Sequence, residues 1–412
     1  MPGKAFEVID RYLNWINLIV ASVVLISTLW LTSIAYGPMP FWDAWATALL
    51  EDSWGKLWTL HNGHLIMMPR LIYGLDTVLS DGNGFLSLTL IFVFQSLSCL
   101  LLVSLSKAPK VTSAALAICF LFWARHLENL SWPFQVGFIG LCFMVVLTMW
   151  LLSRSGWLFQ TAAFVTASIA PMWSINGLLV PLICAFISAL KKKYISAASY
   201  LLFFLASVGL YLYLGFEFAE QDRSKDLLGS LVIYFDIIVR PFLDLLGVKM
   251  STPSLNMAVS TVVALILHGL AVLAAIKSKG DARHLSLLGV SAFGFGSCLM
   301  AALARSENYT GPAFRYAVFS ALALLPLLLI AAEKLKARGG LPRYAVVVSL
   351  LFAINNFDWK PFAIQRGDIQ RNAIAGIQAD PNSLEPYRLL YPSPEGIAEK
   401  IQLFRERGLS IF

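Results

Sequence analysis

The sequence predicts an all-α, polytopic membrane protein of about eleven spans with its N-terminus in the cytoplasm. Three observations predict it. Hydrophobic residues make up 58% of the chain and charged residues only 13%, with a mean hydropathy of +0.72, more apolar surface than a soluble domain can hide. Apolar runs recur along the whole length. Basic residues gather in alternate loops between those runs.

The expected spans lie near Leu13–Ala35, Phe85–Leu105, Val111–Ala124, Phe134–Leu152, Trp157–Ala170, Leu178–Leu190, Ile195–Leu214, Leu255–Ile276, Leu285–Ala304, Ala317–Ala332 and Tyr344–Phe357. Leu13–Ala35 is long enough to cross and lacks a small-residue cleavage site, so it is expected to anchor the chain and not to be removed as a leader. With the N-terminus inside, Lys107, Lys110, Arg154, Lys191 to Lys193, Lys277, Lys279, Arg283, Lys334, Lys336, Arg338 and Arg343 all fall on the cytoplasmic side. That orientation puts roughly 15 basic against 4 acidic residues inside and roughly 16 against 20 outside, the bias that membrane insertion imposes. Residues 1–357 then form a membrane domain, with an outer loop over 36–84, and residues 358–412 a short tail outside the membrane.

The net charge of +7 is a product of this topology and implies no nucleic-acid partner. The five cysteines all lie within apolar runs, so neither a disulfide framework nor a metal site is expected from them. The cytoplasmic loops are too short for a nucleotide-binding domain, and no Gly-rich phosphate loop occurs. Group transfer on the outer side would therefore draw its activated substrate from the membrane.

Several spans are short. Val111–Ala124 gives about 21 Å of helix against a hydrocarbon core of about 30 Å. The corner that follows, ARHLENLSWPFQ, carries Arg125, His126, Glu128, Asn129 and Gln135. Polar backbone at membrane depth is tolerated where it lines a cavity or is covered by protein, so a polar depression opening outward is expected there and around PMWSING. Leu227–Gly247 carries Asp236, Arg240 and Asp244 four residues apart, one polar stripe, and reads as an interfacial or re-entrant outer helix.

Polar chemistry concentrates in the first outer loop, PFWDAWATALLEDSWGKLWTLHNGHLIMMPR. Trp42, Trp45, Leu49, Trp54 and Trp58 approximate one helical face, with Asp43, Thr47 and Glu51 on the other, as in an amphipathic helix at headgroup level. A carboxylate facing the depression can act as general base toward a sugar hydroxyl; Asp43 is the candidate, with Glu51 or Asp52 as substitutes. His61 and His64 share one face if their stretch is helical, with Asn62 between them and Arg70 after an apolar turn. Two histidines without a third spaced ligand make a weak metal signal, so hydrogen bonding to phosphate or sugar is expected, no metal site is assigned, and a divalent cation is left open. The later loop RSENYTGPAFRY places Arg305, Arg315 and Tyr316 together, and an Arg fork suits phosphate oxygens. In the tail, Ser393-Pro394-Glu395 starts a helix, Ile397, Ile401 and Phe404 form its apolar stripe, and Gly408 stops it; it is expected to dock on the outer loops.

The DAW acid, HNGH followed by PR, ENLSWPFQ, the outer Arg with a later RY, and the LYPSPE tail together resemble bacterial type C (GT-C) glycosyltransferases. The likeness is nearest to enzymes that use polyprenyl-phosphate sugars to decorate cell-surface glycans, including O-antigen-modifying glucosyltransferases. What the resemblance implies is a multi-span fold in the bacterial cytoplasmic membrane, catalysis at its outer face, a polyprenyl-phosphate-linked sugar as donor, a glycan or glycolipid acceptor, and Asp43 as base. The third position of the His cluster, acidic in many such proteins, is Gly63 here. Arg305, Arg315 or Arg70 would hold the phosphate, and Glu128, Asn129 and Gln135 complete the expected substrate contacts. Two other readings stand beside this one. A lipid-glycan flippase would rely on ionisable groups within spans, of which His268 is the conspicuous one. An O-antigen polymerase or ligase would transfer whole glycans.

Overall fold

The computed structural model describes residues 2–47, 54–217, 227–248, 253–277, 280–304, 313–336 and 341–412, and the chain is an all-α membrane protein whose one sheet, among those residues, is a two-stranded hairpin. Its helices are, in order, α1 (Pro2–Ala35), α2 (Ala44–Thr47, a single turn), α3 (Met67–Leu79), α4 (Phe85–Leu105), α5 (Lys110–Leu121), α6 (Leu127–Ser131) and α7 (Val136–Leu152). There follow α8 (Trp157–Ile169), α9 (Leu179–Leu190), α10 (Tyr194–Tyr213), α11 (Leu227–Leu245), α12 (Pro253–Lys277), α13 (Ala282–Ala304) and α14 (Ala317–Lys336). Last come α15 (Leu341–Phe357), α16 (Lys360–Ala379) and α17 (Ala398–Glu406).

Each expected span coincides with a helix. Eight helical stretches among the described residues are long and apolar enough to cross a bilayer, one of them formed by α5 running on through α6. α8, α9 and α15, of 13, 12 and 17 residues, fall below that length. The main core is built where α4, α5, α7, α13 and α14 face one another, around side chains such as Ile91, Val145, Phe293 and Phe319. α10 and α12 leave most of their surface exposed, as apolar helices bordering lipid do.

Polar anchors fix the corners between helices. The Asp76 carboxylate, at the end of α3, accepts the amides of Gly84, Leu86 and Ser87 at 2.7, 2.8 and 3.3 Å, and so caps the first turn of α4. Asn356, fully buried at the end of α15, accepts the Ala124 amide at 2.8 Å and donates to the Val24 carbonyl at 3.0 Å. One amide side chain thus ties α1, α15 and the corner after α5.

Two expectations need correction here. Of the two placements expected for the stretch around Asp236, Arg240 and Asp244, interfacial or re-entrant, the first does not hold: α11 packs against α12, α13 and α14, with Ile237 and Ile238 in the core. Its polar stripe survives because it is internally paired. Arg240 bonds Asp236 at 3.1 Å, Ser260 adds a bond to Asp236 at 3.0 Å, and Arg125 pairs with Asp244 at 2.7 Å. The described parts of the first loop, likewise, do not form one amphipathic helix with a tryptophan face. Trp45 is fully buried against Tyr387 and Phe404, ring centroids 6.2 and 5.3 Å away, while Trp42 and Trp58 are exposed. The reason is the tail. α16 and α17 fold back over the loop and form a second core from Met39, Trp45, Tyr387, Leu390, Ile401 and Phe404. The tail helix begins in a 3-10 turn at Pro394, buries Ile397, Ile401 and Phe404, and is followed by Gly408 at φ +62°. Leu49, Glu51 and Asp52 lie outside the described residues.

Candidate active site

One open cavity collects most of the candidate residues. It is lined by Asp43, His61, Asn62, His64, Gln135, Arg315 and Tyr316, with Trp132, Phe134, Trp173 and Ser174 among the rest of the wall. About 690 Å³ of empty space lies within it, counting the part open to solvent.

Asp43 stands just before α2 on a loop held from behind. The Trp42 amide donates to the Leu390 carbonyl at 2.8 Å, Lys400 donates to the Trp45 carbonyl at 2.9 Å, and Trp45 is sunk in the second core. The tail therefore presents the carboxylate, whose side chain is 41% exposed, to the cavity.

His61 and His64 do not lie on a helix. Leu60–His61 and His64–Leu65 are antiparallel strands, with His61 directly opposite His64. The turn between them, Asn62 at φ +49° and Gly63 at φ +77°, has both central residues in the left-handed region, as a type I′ hairpin requires. Opposed residues of an antiparallel pair project to one side, so the hairpin puts both imidazoles on the same face. Asn-Gly was the signal for it, and Gly63 follows from the turn: any side chain there is strained, and a Cβ would also stand 3.3 Å from Phe216.

The two rings differ. His64 Nδ1 accepts the Ile175 amide at 3.4 Å and lies 3.0 Å from the Ser174 hydroxyl, which leaves Nε2 as the protonated nitrogen. Burial, with His61 beside it, pulls His64 down to about 4, so it is a neutral donor at any physiological pH. His61 Nε2 is 3.9 Å from Asp43 Oδ1 and 3.3 Å from the side-chain nitrogen Nδ2 of Asn62. Burial lowers His61 as well, Asp43 draws it back up, and Arg70 and Lys400 push it down.

Arg70 is not a wall of this cavity. Its Nη1 donates to the Lys56, Leu57 and Thr59 carbonyls at 2.8, 3.4 and 2.6 Å, which braces the strand leading to His61. Arg70 thus supports the hairpin through Nη1 and stands outside the lining of this cavity.

Glu128 and Asn129 act on the site through Arg315. Glu128 Oε1 accepts Arg315 Nη1 at 3.0 Å and Oε2 accepts the Arg315 amide at 3.1 Å, while Asn129 Nδ2 donates to the Arg315 carbonyl at 2.9 Å. The corner after α5 thus grips the 3-10 turn Phe314–Tyr316 and aims its guanidinium. Gln135 Oε1 and Trp173 Nε1, both buried, have no hydrogen-bond partner among the described residues. The two residues line the cavity, but these two atoms lie within its wall, out of contact with the open space. Arg305 lies outside the described residues.

Sequence reasoning missed three contributors. Trp173 fits because Gly140 of α7 leaves room: a Cβ there would stand 2.0 Å from its ring. Trp132 carries the wall between this cavity and a smaller one behind it, and donates its Nε1–H to the Phe41 carbonyl at 3.1 Å. Arg366 of α16 lies over Phe41 at 3.4 Å and near Trp132 at 5.5 Å, its pKa drawn down to about 10 by burial, and it remains charged at neutral pH. The signal in the sequence was the small, buried stripe Ala363, Gly367 and Ala373, which with Gln370 seated against Gly37 brings α16 close to α1 and the first loop.

Comparisons with protein families, with characterised proteins and with solved structures find no match to this chain.

Proposed function

We propose that the chain is a membrane glycosyltransferase that moves a sugar, a hexose such as glucose, from a polyprenyl-phosphate donor to a glycan or lipid-linked acceptor. The observation that carries this reading is the joint lining of one cavity by Asp43, the paired histidines, Gln135 and Arg315. That set supplies a base, hydroxyl ligands and a phosphate-seeking cation. The loop charge bias supports placing the cavity on the outer face of a bacterial cytoplasmic membrane, with about eleven crossings in all.

In the proposed reaction Asp43 takes the proton from the acceptor hydroxyl as its oxygen bonds to the anomeric carbon. The bond from that carbon to the phosphate oxygen breaks, its electron pair stays on the phosphate, and polyprenyl phosphate leaves. Arg315, aimed by Glu128, stabilises the charge that gathers there. His64 Nε2–H orients a hydroxyl group. A single displacement without a covalent intermediate inverts the anomeric centre.

A transport reading would rest on His268, whose Nδ1 lies 2.7 Å from the Ala264 carbonyl and whose Nε2 lies 2.6 Å from the Tyr234 hydroxyl, a contact that ties α12 to α11. Membranes containing the protein, incubated with radiolabelled polyprenyl-phosphate hexoses and acceptors, test the proposal. Addition of one hexose mass is expected. Addition of a whole repeat unit indicates a polymerase or ligase, and movement across the membrane without a new glycosidic bond indicates a flippase; either outcome overturns it.

A further inference from the structure

A second feature lies at the opposite end of the bundle. α13 runs from Leu285 toward Ala304, and α14 begins beside Arg315 at the active-site cavity, so the N-terminal half of α13 is remote from that cavity. There α9, α12 and α13 leave an apolar groove between them, with about 1260 Å³ of empty space including its open side. Phe186, Leu190 and Val272 on its walls are 66%, 50% and 58% exposed, so it opens sideways, where an apolar helix faces lipid. His268 is its one ionisable lining residue, and both its ring nitrogens are already bonded. Nothing in the wall asks for a polar ligand, and hydrocarbon is the chemistry that fits.

One end of the groove is different. Leu190, Ala275 and Leu285 line it, and Lys191 to Lys193 directly follow the first, Lys277 lies two residues beyond the second, and Arg283 two residues before the third. Three helix ends therefore bring cations to one rim. The nearby carboxylates are engaged elsewhere. Lys107 and His284 pair with Asp281, and His284 Nε2 lies 2.6 Å from Glu333. Among the described residues, neither Lys191, Lys192, Lys193, Lys277 nor Arg283 is in an ion pair. Lys191 is half-buried, its ammonium held by the Leu152 carbonyl at 2.9 Å, and burial next to Lys193 lowers it to about 8.

We propose that this groove holds a resident anionic phospholipid, with its acyl chains between α9, α12 and α13 and its phosphate at Lys191 and Lys277. Cations at the rim without carboxylate partners supply the charge complementarity, and the apolar walls supply the chain contact. The proposal is independent of the glycosyltransferase reading.

The test reconstitutes the purified full chain in nanodiscs containing equal phosphatidylglycerol and phosphatidylcholine with identical chains, and identifies the lipid retained by native mass spectrometry. Retention of phosphatidylglycerol over phosphatidylcholine is expected. Each of Lys191→Gln and Lys277→Gln should lower that preference about fivefold, since a lysine near an anionic headgroup contributes about that factor. Ala292→Trp, which fills the groove, should reduce retention of both lipids. Lys277→Gln changes an exposed side chain, so it keeps the test decisive if Ala292→Trp or Lys191→Gln does not fold. Equal retention of the two lipids by the wild-type chain would overturn the proposal, as would a preference unaffected by the lysine substitutions. Displacement of phosphatidylglycerol by polyprenyl phosphate would also overturn it, and would give the groove to a donor chain.

Discussion

Glu128→Gln separates aiming from binding at the proposed phosphate subsite. The substitution keeps the side-chain shape and removes the charge that faces Arg315. Two bonds are affected, one at 3.0 Å to the guanidinium and one at 3.1 Å to the Arg315 amide. Breaking a fully buried pair costs about 3–5 kcal/mol. Here Glu128 and Arg315 are 20% and 24% exposed, so solvent screens part of the interaction, and about 2 kcal/mol is the expected loss. If Arg315 stabilises the departing phosphate, that loss falls on the transition state, and kcat/KM for sugar transfer should drop about 30-fold. Arg315→Gln should cost at least as much, and the double variant no more than Arg315→Gln alone, because the two residues act as one unit. The double-mutant cycle on kcat/KM would then give a coupling of about 2 kcal/mol. Additivity to within about 0.5 kcal/mol would refute the coupling, and with it the role of Glu128 in aiming Arg315.

Three other perturbations follow from the same geometry. Phe404→Ala removes a fully buried ring packed on Trp45, at a cost of about 3–5 kcal/mol; the tail should become sensitive to limited proteolysis and transfer should fall, whereas an unchanged digestion pattern would deny that the tail holds the Asp43 loop. Gly63→Ala forces a Cβ into φ +77° and toward Phe216, at about 1–2 kcal/mol; a lower thermal midpoint with reduced activity is expected, and an unaffected protein would contradict the type I′ turn. His64 is held near 4 against an ordinary 6.5, so the undocked hairpin binds the extra proton between those values. The docked hairpin should therefore have its full stability above pH 6.5 and lose about 3 kcal/mol as the pH falls to 4. Thermal melts across that window check it, and His64→Gln should flatten the slope; a wild-type midpoint independent of pH there would contradict the buried neutral ring.

The membrane-spanning helices were legible because burial in lipid demands long apolar runs, and Phe85–Leu105 and Ala282–Ala304 read directly as such. The polar corner at Arg125 to Gln135 was legible for the converse reason, as charge where hydrocarbon should continue. The hairpin at His61 was misread because two histidines three apart also suit a helix face; the Asn-Gly turn between them decides otherwise. Arg70 and Glu128 carry the residue types that bind substrate, and only their partners reveal that one braces a strand and the other an arginine. Trp173 was hidden for a different reason: its place depends on the close approach of α7 to the Pro171–Trp173 turn, which no local pattern encodes, whereas Arg366 was signalled only indirectly, by the small residues of α16.

The central claim is that Asp43 removes the acceptor proton, and transfer by Asp43→Asn tests it most directly. The amide keeps the size of the carboxylate and cannot act as a base. With expression and donor binding at wild-type levels, transfer of radiolabelled hexose from its polyprenyl phosphate should fall about 10²–10⁴-fold, the usual contribution of a positioned general base. Undiminished transfer by that variant would remove Asp43 from the reaction and contradict the mechanism built on it.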